Sequence, residues 1–282
     1  MKPIELGAIR IERVVEWTGP TRPTWLLPDA TKEAVAAHRD WLAPHFLDER
    51  GRFLMSIHAF LVRAPGLVVL VDTCVGNDKP RQNPTWSMMQ TAFLADLAAV
   101  GVTPEAVDVV LCTHLHVDHV GWNTRRVDGR WVPTFPRARY LFARQEWAHW
   151  SSVLEAETPT IMADSVRPVI DAGQAELVEM THRISPELAL EPTPGHTPGH
   201  VSLSIRAGGR EAVITGDLMH HPVQCAEPWA SSFDTDAEAA RATRRAFCAR
   251  SADSGRLVLG THFASPTAGR IVAHGDAWRF VV

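Results

Sequence analysis

The sequence predicts an α/β protein in which two mixed β-sheets pack together and helices cover their outer faces. Three observations carry that expectation. Short apolar runs with strand spacing recur through both halves of the chain, with helical periodicities between them rather than gathered at one end. A balance of 45% hydrophobic to 21% charged residues is that of a globular protein, and 282 residues suffice for a large buried core. The residues best suited to chemistry stand at the ends of expected strands, where sites collect in layered α/β proteins. With no internal repeat, low-complexity tract or linker in view, residues 1–282 are expected to form one domain.

The elements follow in order. Residues 4–17 alternate as one or two opening strands, and Pro20, Pro23 and Pro28 mark 18–28 as irregular. Residues 30–42 have helical spacing that Pro44 stops. Residues 55–63 and 67–72 are strands joined through Ala64, Pro65 and Gly66 as a hairpin. Residues 86–100 read as a helix ended by Gly101, Thr103-Pro104-Glu105 as a helical turn, and 107–112 as a buried strand. A strand at 139–142 precedes helices at 143–155 and 159–171. Further strands are expected at 176–179, 187–191, 200–206 and 211–215. Residues 234–250 form the clearest amphipathic helix, with Asp234 as its N-cap, and strands at 256–260, 270–273 and 278–282 close the chain.

Composition narrows the function. A net charge of -4 argues against nucleic acid as partner, because phosphate binding leaves a basic footprint. No apolar run approaches the roughly 20 residues a bilayer span needs, so no membrane association is expected. The first residues carry charges every few positions and lack the apolar stretch of a secretory signal. The four cysteines, Cys74, Cys112, Cys225 and Cys248, lie far apart with no C-x-x-C pair, so a reducing, cytoplasmic setting is expected. The 14 histidines, by contrast, are clustered, which points to metal.

The decisive segment runs from Thr113 through His114, Leu115, His116, Val117, Asp118 and His119, directly after a buried strand. Three imidazoles and a carboxylate within six residues suit zinc-like metals. Alternate positions of an extended loop point the same way, so His114, His116 and Asp118 can converge, and a bend brings in His119. Such a run arises by accident in about two of a thousand chains of this composition. Downstream, His196 and His200 lie between tight turns in PGHTPGH (194–200), Asp217 closes TGD (215–217) and His262 lies in GTHF (260–263). Each of these follows or sits beside an expected strand.

Taken together, these motifs resemble the metallo-β-lactamase-fold hydrolase superfamily, in order and in approximate spacing, and LVVLVDT (67–73) resembles the family's early strand with its Asp. The resemblance covers residues 55–282 and leaves 1–54 as an N-terminal extension. It implies a four-layer αβ/βα sandwich with a dinuclear metal site at one edge. Carried over, His114, His116 and His196 hold one metal, Asp118, His119 and His262 the other, and Asp217 bridges them. His200 is structural or supports a ligand. Two divalent ions so held would activate a water, and the metal-bound hydroxide attacks a carbonyl or phosphoryl centre while Asp118 moves protons. Asp72 and Thr113 are candidates to orient ligand imidazoles. Zinc is the default metal, with manganese, iron and cobalt as alternatives.

Within the superfamily, the end segment GTHFASP (260–266) and the long N-terminal region are similar to the lactonase and organophosphate-hydrolase branches. The expected activity is therefore acyl-homoserine-lactonase-like hydrolysis of an apolar lactone or ester. Alternatives are phosphotriester hydrolysis, mononuclear-iron sulfur oxygenation, and a non-catalytic binding member of the fold. Many lactonases of this group carry a Tyr three residues after the bridging Asp. Here that position is His220, which either donates to a developing oxyanion or only packs near the site. Phe263, beside a ligand, is the candidate wall of an apolar substrate pocket, with Trp25, Leu26, Leu27, Trp86, Met88 and Met89 as further candidates. Exposed Trp and Met near the N-terminus are candidates for a homodimer contact.

Overall fold

The computed structural model describes residues 2–282 and divides into two compact units, one formed by residues 2–16 and 57–179 and the other by 17–56 and 180–282.

The first unit carries a seven-stranded sheet. Its strands are β1 (Ile4–Leu6), β2 (Ile9–Thr21), β3 (Phe53–Ala64), β4 (Leu67–Val71), β5 (Val109–Leu111), β8 (Arg139–Ala143) and β9 (Ala175–Val178), neighbours in that order. A separate ribbon pairs β6 (Thr124–Val127) with β7 (Arg130–Pro133). Pro65 and Gly66 turn β3 into β4, Gly66 taking a φ of +70° that its missing Cβ permits. From β4 onward the sheet is parallel, and β4 and β5 are continuous apolar runs, as strands covered on both faces must be. Val71, Leu111 and Leu141 share one register line. The chain therefore leaves β4, β5 and β8 at one edge, which gathers Asp72, the 113–119 segment and the start of the helix after β8. Three helices matter here: α1 (Phe93–Ala99), the single turn α2 (Val117–Val120) and α3 (Arg144–Trp150).

The second unit carries a six-stranded sheet of β10 (Leu188–Pro192), β11 (Val201–Ala207), β12 (Arg210–Ile214), β13 (Leu257–Leu259), β14 (Ala268–His274) and β15 (Ala277–Val281), in sequence order. Only β12 and β13 run parallel, joined through helix α4 (Ala237–Ser251). Their parallel register pairs Ile214 with Leu259, so Asp217 and His262 emerge side by side from adjacent strand ends. Pro192 pairs with Val201 and closes the loop that holds His196. Gly195 in that loop has a φ of +128°, and a Cβ there would lie 2.3 Å from the Ala240 backbone nitrogen, so only glycine lets the loop meet α4. The core of this unit is aromatic: Phe46, Phe53, Phe247, Phe263 and Phe280 pack with Leu26, Leu27 and Leu42. The buried face of α4 repeats at Ala240, Arg244, Phe247, Cys248 and Ser251, the spacing of one helical stripe.

Several expected elements are corrected. The helix expected over 86–100 is only α1, because residues 86–92 form a loop whose Met88 has a φ of +54° and donates its N–H to the Lys79 carbonyl. The helix over 30–42 breaks into Lys32–Ala36 and Arg39–Leu42 at His38, whose ring is drawn to Glu227 (2.8 Å) and Trp41 (3.3 Å). Residues 159–171 are helical in three pieces with a widened turn at Met162–Val166. The ribbon β6–β7 was not expected from the sequence. The cap of α4 is Asp236, which accepts from the backbone of Glu238 and Ala239. Asp234 is occupied elsewhere. Among the described residues, no helix is long and apolar enough to cross a membrane.

Candidate metal centre

The expected ligands fall in two sets. In the second unit, three imidazole Nε2 atoms face one carboxylate. Asp217 Oδ1 lies 3.1 Å from His262 Nε2, and Oδ2 lies 3.1 Å from His220 Nε2 and 3.5 Å from His196 Nε2. His196, Asp217 and His220 each bring a donor atom within 4.8 Å of the others. All four side chains are buried.

The opposite ring nitrogens explain this aim. His196 Nδ1–H donates to Asp234 Oδ1 at 2.9 Å, and His262 Nδ1–H donates to the Ser56 carbonyl at 3.1 Å. A carboxylate and a carbonyl only accept, so both rings carry a proton on Nδ1 and turn Nε2 toward Asp217. Burial first, opposed by the Asp234 hydrogen bond, drives the His196 pKa down to about 4, so this ring is neutral near pH 7. Burial works to raise the Asp234 carboxyl, but the His196 hydrogen bond and nearby cationic groups hold it below the usual range. A neutral imidazole lone pair facing a carboxylate oxygen is repulsive until a cation lies among them. The donor set therefore fits a divalent metal.

Asp217 is itself anchored. Its backbone N–H donates to His200 Nε2 at 2.8 Å, which leaves the His200 proton on Nδ1, 3.0 Å from the Thr193 carbonyl. His200 thus spends both nitrogens inside the protein and supports Asp217. His221 is a core residue: its Nε2 reaches the Phe46 carbonyl at 2.9 Å, its ring stacks on Phe53, and burial lowers its pKa to about 3.

The first unit repeats the logic. Asp72 accepts from His119 Nδ1–H at 2.9 Å, from the Thr113 backbone at 2.8 Å and from the Thr113 hydroxyl at 2.9 Å. With its proton given to Asp72, the Thr113 hydroxyl accepts from His114 Nδ1–H at 3.1 Å. One carboxylate thereby sets the tautomer of two imidazoles and leaves both Nε2 atoms for ligation. His119 Nε2 lies 3.6 Å from Asp118 Oδ1, and the His114 ring centre lies 4.6 Å from His116 and 4.0 Å from His119. His116 and Asp118 are half-buried, whereas His114 and His119 are buried. Glu146 of α3 is buried and accepts from Leu115 N–H and Trp150 Nε1–H, bracing the motif from below.

The structure thus brings His114, His116, Asp118 and His119 together with Asp72 and Thr113, and brings His196, Asp217, His220 and His262 together. It places Phe263 inside the aromatic core, its ring 6.1 Å from Phe46 and 5.0 Å from Phe280, with no exposed surface. Sequence reasoning missed Asp234, Arg244 and Glu146. Arg244 is buried, lies 3.5 Å from Asp234 Oδ2 and donates to the carbonyls of Leu218 and Trp229. The available signal was the pair Asp234 and Asp236 before one helix, since a cap needs only one of them.

Fold and donor sets define a metallo-hydrolase architecture. The family model described as the metallo-beta-lactamase superfamily matches residues 52–262, and the chain belongs to that family. It is 27% identical over 188 residues to a probable metallo-hydrolase of Mycobacterium tuberculosis (strain ATCC 25618 / H37Rv), a match over 58% of this chain and 57% of that protein. The chain thus spans little more than half the length of that relative. A Bacillus N-acyl homoserine lactonase is 30% identical over 112 residues, 39% of this chain and 37% of that one. The structure of AidC, a dizinc quorum-quenching lactonase in complex with its product, superposes with a TM-score of 0.82 at 20% identity, over 99% of this chain and 96% of AidC, and so shares the fold.

Proposed function

We propose that this protein is a dinuclear-metal hydrolase that opens a lactone or cleaves a carboxylic ester. The observation that carries the reading is the set of oriented imidazoles whose Nε2 atoms face carboxylates in both units. Similarity to a lactonase favours acyl rather than phosphoryl substrates. On this reading His114, His116 and His196 hold one ion, Asp118, His119 and His262 hold the other, Asp217 serves both, and residues 1–282 act as one functional domain. Zinc suits a nitrogen-rich set without thiols. When bound, the ions supply Lewis acidity for the carbonyl oxygen and make water acidic enough to attack at neutral pH.

The chain's own groups do the rest. Asp72 and Asp234 hold the imidazoles in the tautomer that ligates, and His200 holds Asp217 by its backbone. Asp118, half-buried, accepts the proton of the attacking water at a carboxylate oxygen and returns it to the leaving alkoxide. His220, buried beside Asp217, is the group placed to donate from Nε2 to negative charge that develops there.

The test is proton release by zinc-loaded protein on a long-chain acyl-homoserine lactone and, side by side, on an aryl phosphotriester, with metal content measured. Two ions per chain and faster lactone opening are expected. His116→Ala should lose an ion and nearly all turnover. Preferential phosphotriester turnover, or inactivity on both substrates with two ions bound, refutes the lactonase reading. A single ion per chain after loading refutes the dinuclear one.

A further inference from the structure

Helix α2 is one turn long, and a single turn does not hold itself together in water. It nevertheless carries Asp118 and His119, two of the expected ligands. His116 at its start makes no side-chain cap, so the turn stands where the chain on either side is gripped. Upstream, Asp72 holds Thr113. Downstream, the backbone that leaves His119 lies against residues 73–76. Thr73 N–H donates to the His119 carbonyl at 2.8 Å, and the N–H groups of Gly121 and Trp122 donate to the Cys74 and Thr73 carbonyls, both at 2.7 Å.

One carboxylate closes this weave. Glu16, on β2, accepts from Val75 N–H at Oε2 (2.7 Å) and from Gly76 N–H at Oε1 (3.2 Å). Oε1 also accepts from the indole Nε1–H of Trp122 at 2.6 Å. The Trp122 ring is buried and stacks on Phe93 of α1 with centres 5.6 Å apart, so the indole has a fixed seat. Burial pushes the Glu16 carboxyl above its ordinary range, and these hydrogen bonds oppose that shift. An apolar side chain carries no such cost, so packing does not account for a carboxylate here. A group that grips both strands of the weave at once does. Glu16 also lies outside residues 52–262, the span that matches the family model.

We infer that Glu16 is a positioning residue of the metal centre: by joining Val75 and Gly76 to Trp122, it fixes the backbone that leaves His119 and so sets where Asp118 and His119 stand. This rests on the dinuclear-hydrolase reading above. Glu16 acts through Trp122 and not by contact with an ion or a substrate.

The experiment titrates metal-free protein with cobalt(II) and follows both stepwise affinities and the visible ligand-field spectrum, which reports donor geometry. The wild type is compared with Glu16→Gln and Trp122→Phe. The first keeps the shape of the side chain, but either orientation of its amide turns an N–H against Val75 or Trp122; the second keeps a ring against Phe93 and loses the indole N–H. Each variant should weaken one of the two ions about tenfold, leave the other within about twofold, and shift the spectrum of the weakened ion. The double variant should weaken that ion by less than the two single effects combined, because both act on one bond. If the variants unfold at a lower temperature yet bind both ions at wild-type affinity with an unchanged spectrum, or weaken both ions equally, Glu16 only braces the fold and the inference is overturned. Turnover of the lactone is measured separately. A wild type that binds two ions and opens no lactone sinks the hydrolase reading, and the titration still decides the role of Glu16.

Discussion

Replacing Asp234 by Asn tests the central claim about how the second-unit donors are oriented. The side chain is fully buried, and both oxygens accept: Oδ1 from His196 Nδ1–H at 2.9 Å and Oδ2 from Ser231 N–H at 2.8 Å, with Arg244 3.5 Å away. Asn has nearly the same shape but one acceptor oxygen, so its amide must turn an N–H toward one of two N–H donors. The variant loses one charge-assisted hydrogen bond, about 1.5–3 kcal/mol, and leaves the Arg244 charge without its counterpart. If the amide meets His196, the ring is free to turn or to move its proton to Nε2, which removes the lone pair a metal requires. Metal affinity should then drop about 10- to 100-fold, as for other partners of ligating imidazoles. Competition against a chromophoric chelator reads that loss directly. Thermal unfolding of the metal-free protein should show a fall of about 5 °C or more. A variant whose unfolding temperature falls while its metal affinity stays at the wild-type value would refute the reasoning, because Asp234 would then brace the loop without orienting His196.

Two further outcomes follow from the geometry. Gly121→Ala should destabilise the protein by more than about 3 kcal/mol, because a Cβ there would lie 1.9 Å from the Val75 carbonyl group and the backbone that follows His119 would have to move; chemical denaturation measures it, and a loss under 1 kcal/mol contradicts it. Burial pushes the His221 pKa down to about 3 against an ordinary value of 6.5, so below pH 6.5 the unfolded chain binds a proton that the folded one refuses. The sign is a loss of stability as pH falls from 6.5 toward 3, about 1.4 kcal/mol per pH unit for this group. His221→Gln should reduce that slope by one proton in metal-free denaturation curves, and an unchanged slope would show that His221 is charged in the folded state.

Much of this protein was legible locally. The strands flanking the motifs are short apolar runs whose period is independent of context, so β4, β5 and β11–β13 stood within two residues of where they were expected. The donor residues were legible for a chemical reason: imidazoles and carboxylates concentrated at strand ends have few other uses. Helix limits were poorer. Propensity alone extends a helix through Trp86–Met89, whereas hydrogen bonds to Lys79 and Asp78 pull that segment into a loop.

The sequence by itself determined the residue types, the strand ends that carry them and the family to which the chain belongs. Only the tertiary structure decided how they are oriented. Which nitrogen of each imidazole carries the proton depends on Asp72, Asp234 and Ser56, residues 38 to 206 positions away from the rings they fix, and no local pattern encodes a partner at that distance. The same holds for the apolar residues. Leu26 and Phe263 differ little in character from Trp25 and Phe233, yet the core takes the first two and leaves the other two in water. Burial is a property of the assembled sheets and not of the side chain.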